Sequence, residues 1–387
     1  MKKLNQHHPF SPFEIRLMRQ LLRLAEKELG NTAPNPATAA AVVKHETIIS
    51  TGVHKSPGLP HAEALALLSA GKRAKGASLY VNLEPCTHFG RTPPCTDAII
   101  QAGITRVVFA ARDTHDLVCQ NPARQVLESA GIEVREGLLE KEAVLINAGF
   151  YKSVYAKKPY VILKAGLSLD GRIALESGES RYITSEYSRR EVHRLRRSVD
   201  GIIAGAGTVL TDDPLLTVRY SLLKKADKPP FIILIDLNGE LHDGLKVFQN
   251  AEIGAGICLV VQKSVLSNPN IQALKGKADL FSVTNPSMIW DELLDYLYNR
   301  GLRRLLIEGG STVYTSALES DCVDEMRLFY APVLLGGKES IPLFGGKGVD
   351  CLENAVRLSG LTIKRFGPDF CVRGYRNDSM DFYQNKG

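Results

Sequence analysis

Two α/β domains in tandem are the fold class that this sequence predicts. Three observations carry the prediction. Apolar stretches of strand length alternate with helical ones from residue 13 to 134, a second alternating set begins at Tyr160, and a polar, basic stretch, 151–159, separates the two. A length of 387 residues accommodates two or three domains. With 44% hydrophobic and 23% charged residues the composition is that of a globular protein, which excludes a disordered chain, a collagen-like fibre and a coiled-coil rod. There is no apolar run of about 18 residues, so no membrane span is expected. The first eight residues, Met1 to His8, are basic without the apolar segment of a signal peptide, so a cytoplasmic location is expected. A net charge of +6 does not require nucleic acid and suits small phosphorylated anions.

The first set of elements follows from the spacing. Residues 1–10 read as a frayed tail, and Ile15, Met18, Leu21, Leu22 and Leu29 recur near helical spacing, predicting a helix over 13–29. A hairpin is expected from 39–43 and 47–52, then a helix at 62–70 and a strand at 78–83. Helices at 96–102 and 122–130 then alternate with strands at 106–110 and 131–134. The first domain is placed at 1–150 and the second at 151–387, with 151–159 as a linker. The second set comprises a strand at 160–165, an Arg-rich helix at 188–199 and strands at 201–204, 231–235 and 257–261. A helix at 288–300 and a strand at 304–307 complete it, with 377–387 as a polar tail.

Chemistry concentrates first around His61-Ala62-Glu63, Glu84-Pro85-Cys86-Thr87-His88 and Pro93-Pro94-Cys95. One imidazole and two thiolates make three ligands to zinc and leave a fourth position for water. Bound zinc brings that water's pKa to about 7. Glu63, two residues from His61, can move the proton without being a ligand. This matches the hydrolytic deaminase pattern, H-x-E followed by P-C-x-x-C, except that eight residues separate Cys86 from Cys95. The odd total of seven cysteines argues against a disulfide scaffold, and Cys119, Cys258, Cys322, Cys351 and Cys371 read as buried apolar residues. In the second half, glycines after strands at 205–208, 309–312 and 336–337 suit backbone approach to phosphates, or are plain turns. Arg189, Arg190, Arg194, Arg196 and Arg197 crowd one helix, where most are solvated and one could grip a phosphate.

The stretch from Glu84 to Cys95, with His61-Ala62-Glu63, strongly resembles the deaminase half of the bifunctional riboflavin-biosynthesis deaminase–reductase family. Leu163 to Ala174, Ser177-Gly178-Glu179-Ser180, Gly207 to Arg219 and Glu308-Gly309-Gly310 resemble its reductase half. The resemblance covers roughly 13–375. It implies an N-terminal cytidine-deaminase-like zinc domain of three α/β/α layers, followed by a C-terminal dihydrofolate-reductase-like α/β domain that uses NADPH. It implies His61, Cys86 and Cys95 as Zn2+ ligands, Glu63 as the catalytic proton shuttle, and Asn35, His54 and His88 as contacts to the pyrimidine or its phosphoribosyl arm. For NADPH it implies Gly166, Tyr182, Thr208, Asp212 and a turn formed by Gly310, Ser311, Thr312, Val313, Tyr314, Thr315 and Ser316. For substrate it implies Ser180, Arg196, Leu216, Arg219 and Glu308, with Arg196 and Arg219 as phosphate partners.

The implied substrate is a small phosphorylated pyrimidine, deaminated by hydrolysis and then reduced at C1′ of its ribosyl arm; a homo-oligomer is expected, without nucleic acid or membrane. Three departures bear on substrate fit. Thr38-Ala39-Ala40 replaces a Val-Gly, so Ala40 puts a methyl where glycine would let backbone approach a ligand. His115 stands where the family has Asn, and Tyr182 and Arg181 stand where Trp and Gln are common. Alternatives are a reductase with an impaired deaminase half, a zinc nucleoside or RNA deaminase with a fused nucleotide-binding domain, and a closed structural zinc site with His88 as fourth ligand.

Overall fold

The structure, a computed structural model, describes residues 9–90, 93–219 and 228–376. The chain divides into two compact units, Met1–Val154 and Tyr155–Gly387. The polar tail at 377–387 and most of the expected N-terminal tail lie outside the described residues. Phe10 is no part of a frayed tail: it is buried, with the Arg135 guanidinium 4.3 Å from its ring centroid.

In the first unit α1 (Pro12–Glu26) starts at a capping box. Ser11 Oγ accepts from the Glu14 N–H while the Glu14 carboxylate accepts from the Ser11 N–H. Its buried stripe is Leu17, Met18, Leu21, Leu22 and Ala25. β1 (Ala39–Lys44) and β2 (Thr47–Val53) form the expected hairpin, α2 (Ala62–Ala70) follows, and β3 (Ser78–Leu83) pairs antiparallel with β1. Then come α3 (Cys95–Gln101), β4 (Arg106–Ala111), α4 (Asp116–Gln120), α5 (Ala123–Ser129), β5 (Glu133–Glu136), α6 (Glu140–Ile146) and α7 (Ala148–Ala156). The sheet order is β2-β1-β3-β4-β5, with the β3–β4 and β4–β5 pairs parallel. Alternate residues of β1, β3 and β4 (Ala40, Val42, Leu79, Val81, Val107, Phe109) share one apolar core with Ala62 and Ala66 of α2, Ile99 of α3 and Leu127 of α5. Tyr80, on the opposite face, donates its hydroxyl to Glu14 of α1. Three α/β/α layers result. The expected linker is largely helix instead: Tyr151 in α7 is buried and donates its hydroxyl to the Arg112 carbonyl.

The second unit opens with β6 (Tyr160–Leu167) and β7 (Arg172–Ala174), then α8 (Glu186–Arg197), β8 (Gly201–Gly205) and α9 (Ala206–Asp212). β9 (Phe231–Ile235), β10 (Ile257–Gln262), α10 (Pro269–Ala273), β11 (Asp279–Val283) and α11 (Ile289–Asn299) continue it. β12 (Arg304–Gly309), α12 (Ser311–Glu319), β13 (Glu325–Tyr330), β14 (Ile341–Pro342), β15 (Leu358–Phe366) and β16 (Asp369–Arg376) complete it. The nine-stranded order is β11-β10-β9-β8-β12-β6-β13-β16-β15. The pairs from β11 to β13 are parallel, and β13–β16 and β16–β15 are antiparallel. Trp290, Leu293, Leu294 and Leu297 of α11 join the core with the central strands. The expected elements of this half were all found, whereas β13, β15 and β16 were not anticipated. Among the described residues no helix is long and apolar enough to cross a membrane.

Candidate functional site

In the first unit each candidate metal ligand stands at the beginning of an element or just past the end of one. His61 caps α2 in an extended conformation without spending its ring on the helix. Cys95 is the first residue of α3, behind Pro94, and Cys86 follows β3. The turns converge: His61 Nδ1 is 3.5 Å from Cys86 Sγ and 3.3 Å from Cys95 Sγ. The Thr96 N–H and hydroxyl both reach the Cys86 carbonyl, at 3.3 and 3.4 Å, closing the loop between the cysteines. The three ligand atoms lie within 4.8 Å of one another, and no fourth His, Cys, Asp or Glu joins them among the described residues. Two soft sulfurs and one imidazole fit zinc with an open position, and a closed structural site with His88 as fourth ligand is not formed.

Glu63, in the first turn of α2, is buried beside this group. Burial foremost, then the Cys86 sulfur, pushes its carboxyl up to about 7, where a group can both take and give a proton near neutrality. The ligands and Glu63 open onto a cavity of about 340 Å³ that Asn35, His54 and His88 also line. His54 Nδ1 lies 3.2 Å from the Pro60 carbonyl, which can only accept, so Nδ1 carries the proton. Nε2 is therefore the acceptor for the Asn35 amide at 3.3 Å. His88 has a buried Nδ1 with no hydrogen-bond partner among the described residues, and its ring stacks on that of His115 at 5.5 Å.

Sequence reasoning missed Asp113 and Glu84 as parts of this cavity wall. Burial, chiefly, pushes Asp113 up to about 6. Glu84 accepts the Asp113 N–H at 3.2 Å and the Ala123 N–H at 2.8 Å. Those partners lie far along the chain, so no local pattern announced them. Ala40 needs a correction: its side chain belongs to the apolar core with Ala62 and Ala66 and does not line the cavity. The unassigned cysteines also divide. Cys258, Cys322 and Cys371 are buried, but Cys119 and Cys351 are exposed.

In the second unit two adjoining cavities, of about 690 and 430 Å³, open at the carboxyl ends of β6, β8 and β12. That is where an open α/β sheet presents backbone and loops to a ligand. Ser180, Tyr182, Arg196, Leu216 and Arg219 line the larger one. Gly310, Ser311, Thr312 and Tyr314 line the smaller, and Gly166, Thr208, Asp212 and Glu308 border both. Gly309 is required by the close approach of α9, since a Cβ there would lie 2.8 Å from Thr208 Cγ2. Tyr182 is 69% exposed, with the Arg189 guanidinium 4.1 Å over its ring. Arg181, in place of Gln, is bound to Asp212.

Two expectations change here. The expected turn at 310–316 is the start of α12, with Gly310 at φ 86° as its cap. Val313 packs against Gly205 in the core, Thr315 Oγ1 bridges the Ser311 carbonyl and the Gly345 N–H, and Ser316 accepts from the Trp290 indole. These three side chains face neighbouring elements, not the cavity. Arg196 was expected to meet phosphate, yet its Nε and Nη2 are paired with Glu308 and its Nη1 with the Thr217 carbonyl. Lys164, 3.3 Å from Glu308, and His193 also line the cavity. Lys164 lies inside an apolar strand, and His193 was hidden among the arginines of α8.

Comparison with known proteins agrees with both halves. The family model described as RibD C-terminal domain matches residues 159–372, and the cytidine and deoxycytidylate deaminase zinc-binding region matches 12–111. The riboflavin biosynthesis protein RibD of Bacillus amyloliquefaciens is 36% identical over 372 residues, 95% of this chain and 99% of that one. RibD of Aquifex aeolicus is 38% identical over 355 residues, 92% and 96% of the two chains. The diaminohydroxyphosphoribosylaminopyrimidine deaminase/5-amino-6-(5-phosphoribosylamino)uracil reductase of Thermotoga maritima superposes with a TM-score of 0.82 at 33% identity, over 94% of this chain and 99% of that one. Acinetobacter baumannii RibD gives the same TM-score, identity and coverage.

Proposed function

This chain belongs to the RibD family of bifunctional deaminase–reductases, with hydrolase and oxidoreductase activities that use Zn2+ and NADPH, and from that premise we propose which of its residues perform each step. The substrates we assign are those in the name of the Thermotoga maritima relative, a diaminohydroxyphosphoribosylaminopyrimidine for the first domain and 5-amino-6-(5-phosphoribosylamino)uracil for the second. The convergence of His61, Cys86 and Cys95 within 4.8 Å, beside a buried Glu63, carries the reading.

His61, Cys86 and Cys95 would hold zinc, which when bound makes water a nucleophile at neutral pH and polarises what it touches. Glu63 takes a proton from the attacking water and returns it to the amine, so a C–O bond forms, the C–N bond breaks and ammonia leaves. With zinc held by these ligands, Glu63 would be favoured in the carboxylate form that starts this cycle. Asn35, His54 and His88 orient the pyrimidine; with Nδ1 fixed on the Pro60 carbonyl, His54 keeps one tautomer throughout.

In the second domain NADPH would lie along Gly166, Thr208, Asp212 and the amino end of α12, with Tyr182 as a stacking surface; when bound it supplies hydride. The N–H groups behind Gly310 and the helix dipole suit its phosphates. Ser180, Leu216 and Arg219 hold the phosphorylated arm so that C1′ meets the hydride, and Glu308, paired with Arg196 and Lys164, sets the polarity of the cavity. A homo-oligomer is supported by edge strand β15, where Leu361 and Ile363 are 60% and 71% exposed.

The test is a coupled assay: the purified protein releases ammonia from the diaminopyrimidine phosphate and then consumes NADPH. A zinc chelator should abolish the first signal and spare reduction of the supplied uracil intermediate. Absence of ammonia release from zinc-loaded protein overturns the deaminase assignment and favours a reductase alone.

A further inference from the structure

Residues 213–219 carry Leu216 and Arg219 to the reductase cavity, yet they form neither helix nor strand. Hydrogen bonds to residues outside the segment hold them. Asp213 accepts the Lys246 N–H at 2.8 Å, the Leu215 carbonyl accepts from Asn250 at 2.5 Å, and the Thr217 carbonyl accepts from Arg196 at 2.9 Å. The last hold is at Arg219 itself, whose backbone N–H donates to His193 Nδ1 at 3.3 Å.

Arg219 differs from the other cations around this cavity. Lys164 and Arg196 are paired with Glu308, Arg181 with Asp212, and Lys246 with Asp213, while Arg189 donates to the Thr184 carbonyl. Arg219 has neither a carboxylate nor a carbonyl partner for its guanidinium among the described residues, so of these cations it is the one left to grip an anionic group.

We propose that His193 is the positioning residue for Arg219: by accepting the Arg219 N–H on Nδ1, it sets where that guanidinium meets the phosphate of the reductase substrate. The proposal rests on the phosphorylated-substrate reading given above. An acceptor must be a neutral imidazole, and the surroundings keep it so. Burial, then Arg196, with Arg219 and Lys164 adding to them, holds His193 down to about 4 against the opposing pull of Glu308. The same ring nitrogen explains why a histidine sits on α8 at this point: an arginine or lysine there has no acceptor to offer.

The experiment measures NADPH oxidation by the full-length enzyme with the phosphorylated substrate and with its dephosphorylated riboside. His193→Ala should raise KM for the phosphorylated substrate about tenfold, the factor that roughly 1.4 kcal/mol represents. KM for NADPH and for the riboside should stay as they are. His193→Asn, whose Oδ1 takes the place of Nδ1, should restore most of the loss, and the thermal midpoints of both variants check that they fold. In an Arg219→Ala background, His193→Ala should add nothing further. Additive losses, or an equal rise in KM for the riboside, overturn the positioning role. A wild-type enzyme indifferent to the phosphate instead overturns the substrate reading, and the proposal with it.

Discussion

Arg196 and Glu308 meet in a two-pronged ion pair, Nε to Oε1 at 2.5 Å and Nη2 to Oε2 at 2.8 Å, joining helix α8 to the carboxyl end of β12. Both side chains are nearly inaccessible, 11% and 4% exposed. Such a pair carries weight mainly through what its loss leaves behind. Arg196→Ala strands a buried carboxylate with only Lys164 beside it and frees the Thr217 carbonyl. Unfolding free energy should fall by about 3 kcal/mol in denaturant titration, with reductase turnover lost. Arg196→Lys cannot restore the fork and should recover only part of either.

Removing the shuttle differs from removing the metal. Glu63→Gln should lower deaminase kcat by at least about 100-fold, the lower range for a lost acid–base group, while zinc measured by atomic absorption stays at the wild-type level. Cys86→Ser should lose both. Reduction should be unaffected in either variant. Wild-type deamination by Glu63→Gln sinks the assigned role.

Gly52 supports the same site from below. A Cβ at Gly52 would stand 2.1 Å from the Ala62 carbonyl oxygen and 2.6 Å from the Ala66 N, both backbone atoms of α2. Gly52→Ala must therefore push away the helix that starts with His61 and Glu63. The expected outcome is weaker zinc retention under chelator competition and a drop in deaminase kcat, with NADPH oxidation unchanged.

Acid should weaken the second domain in a definite window. Burial opposes ionisation of Glu325, but Arg327, Arg373 and Arg304 outweigh it and hold the carboxyl down to about 2. An unfolded glutamate titrates near 4.3, so this carboxylate stabilises the fold at pH above that value and ceases to as pH falls toward 2. The contribution is on the order of 3 kcal/mol. Glu325→Gln should lower the urea midpoint at pH 7, and the gap to wild type should narrow steadily below pH 4. A gap that does not change with pH would falsify this account.

His115 gives a test of substrate fit. Its Nδ1 accepts the Leu117 N–H at 3.4 Å, so in the neutral ring the proton sits on Nε2, a donor beside the stacked His88. Replacing it with alanine should raise deaminase KM about fivefold, near the worth of one hydrogen bond, with kcat nearly intact. Asn in its place should keep both the helix cap and a donor, and so stay close to wild type.

The sequence makes legible whatever the chain states locally. The hairpin, α2, β3 and β9 follow from short-range patterns, and the metal group is legible because all three ligands flank predicted element ends. Partnerships across the fold were not. Glu84 was a letter in a motif until β4 and α5 brought Asp113 and Ala123 to it. Arg196 read as a phosphate ligand because Glu308, 112 residues away, could not be seen as its partner. α7 was hidden because its second half runs into the basic Lys157-Lys158-Pro159 and because the residue that anchors it, Tyr151, finds its acceptor on the distant Arg112.

The Glu84 carboxylate has a consequence for how this protein can change over time. It suspends the wall formed by Asp113 and the start of α5 from the end of β3 by backbone N–H groups alone, and backbone amides are indifferent to which side chain follows. Residues 114–121 can therefore drift in identity while His61, Cys86 and Cys95 keep their places. A lineage can retune what the pocket accepts without risking the metal site, and His115 in place of Asn is a sample of that freedom.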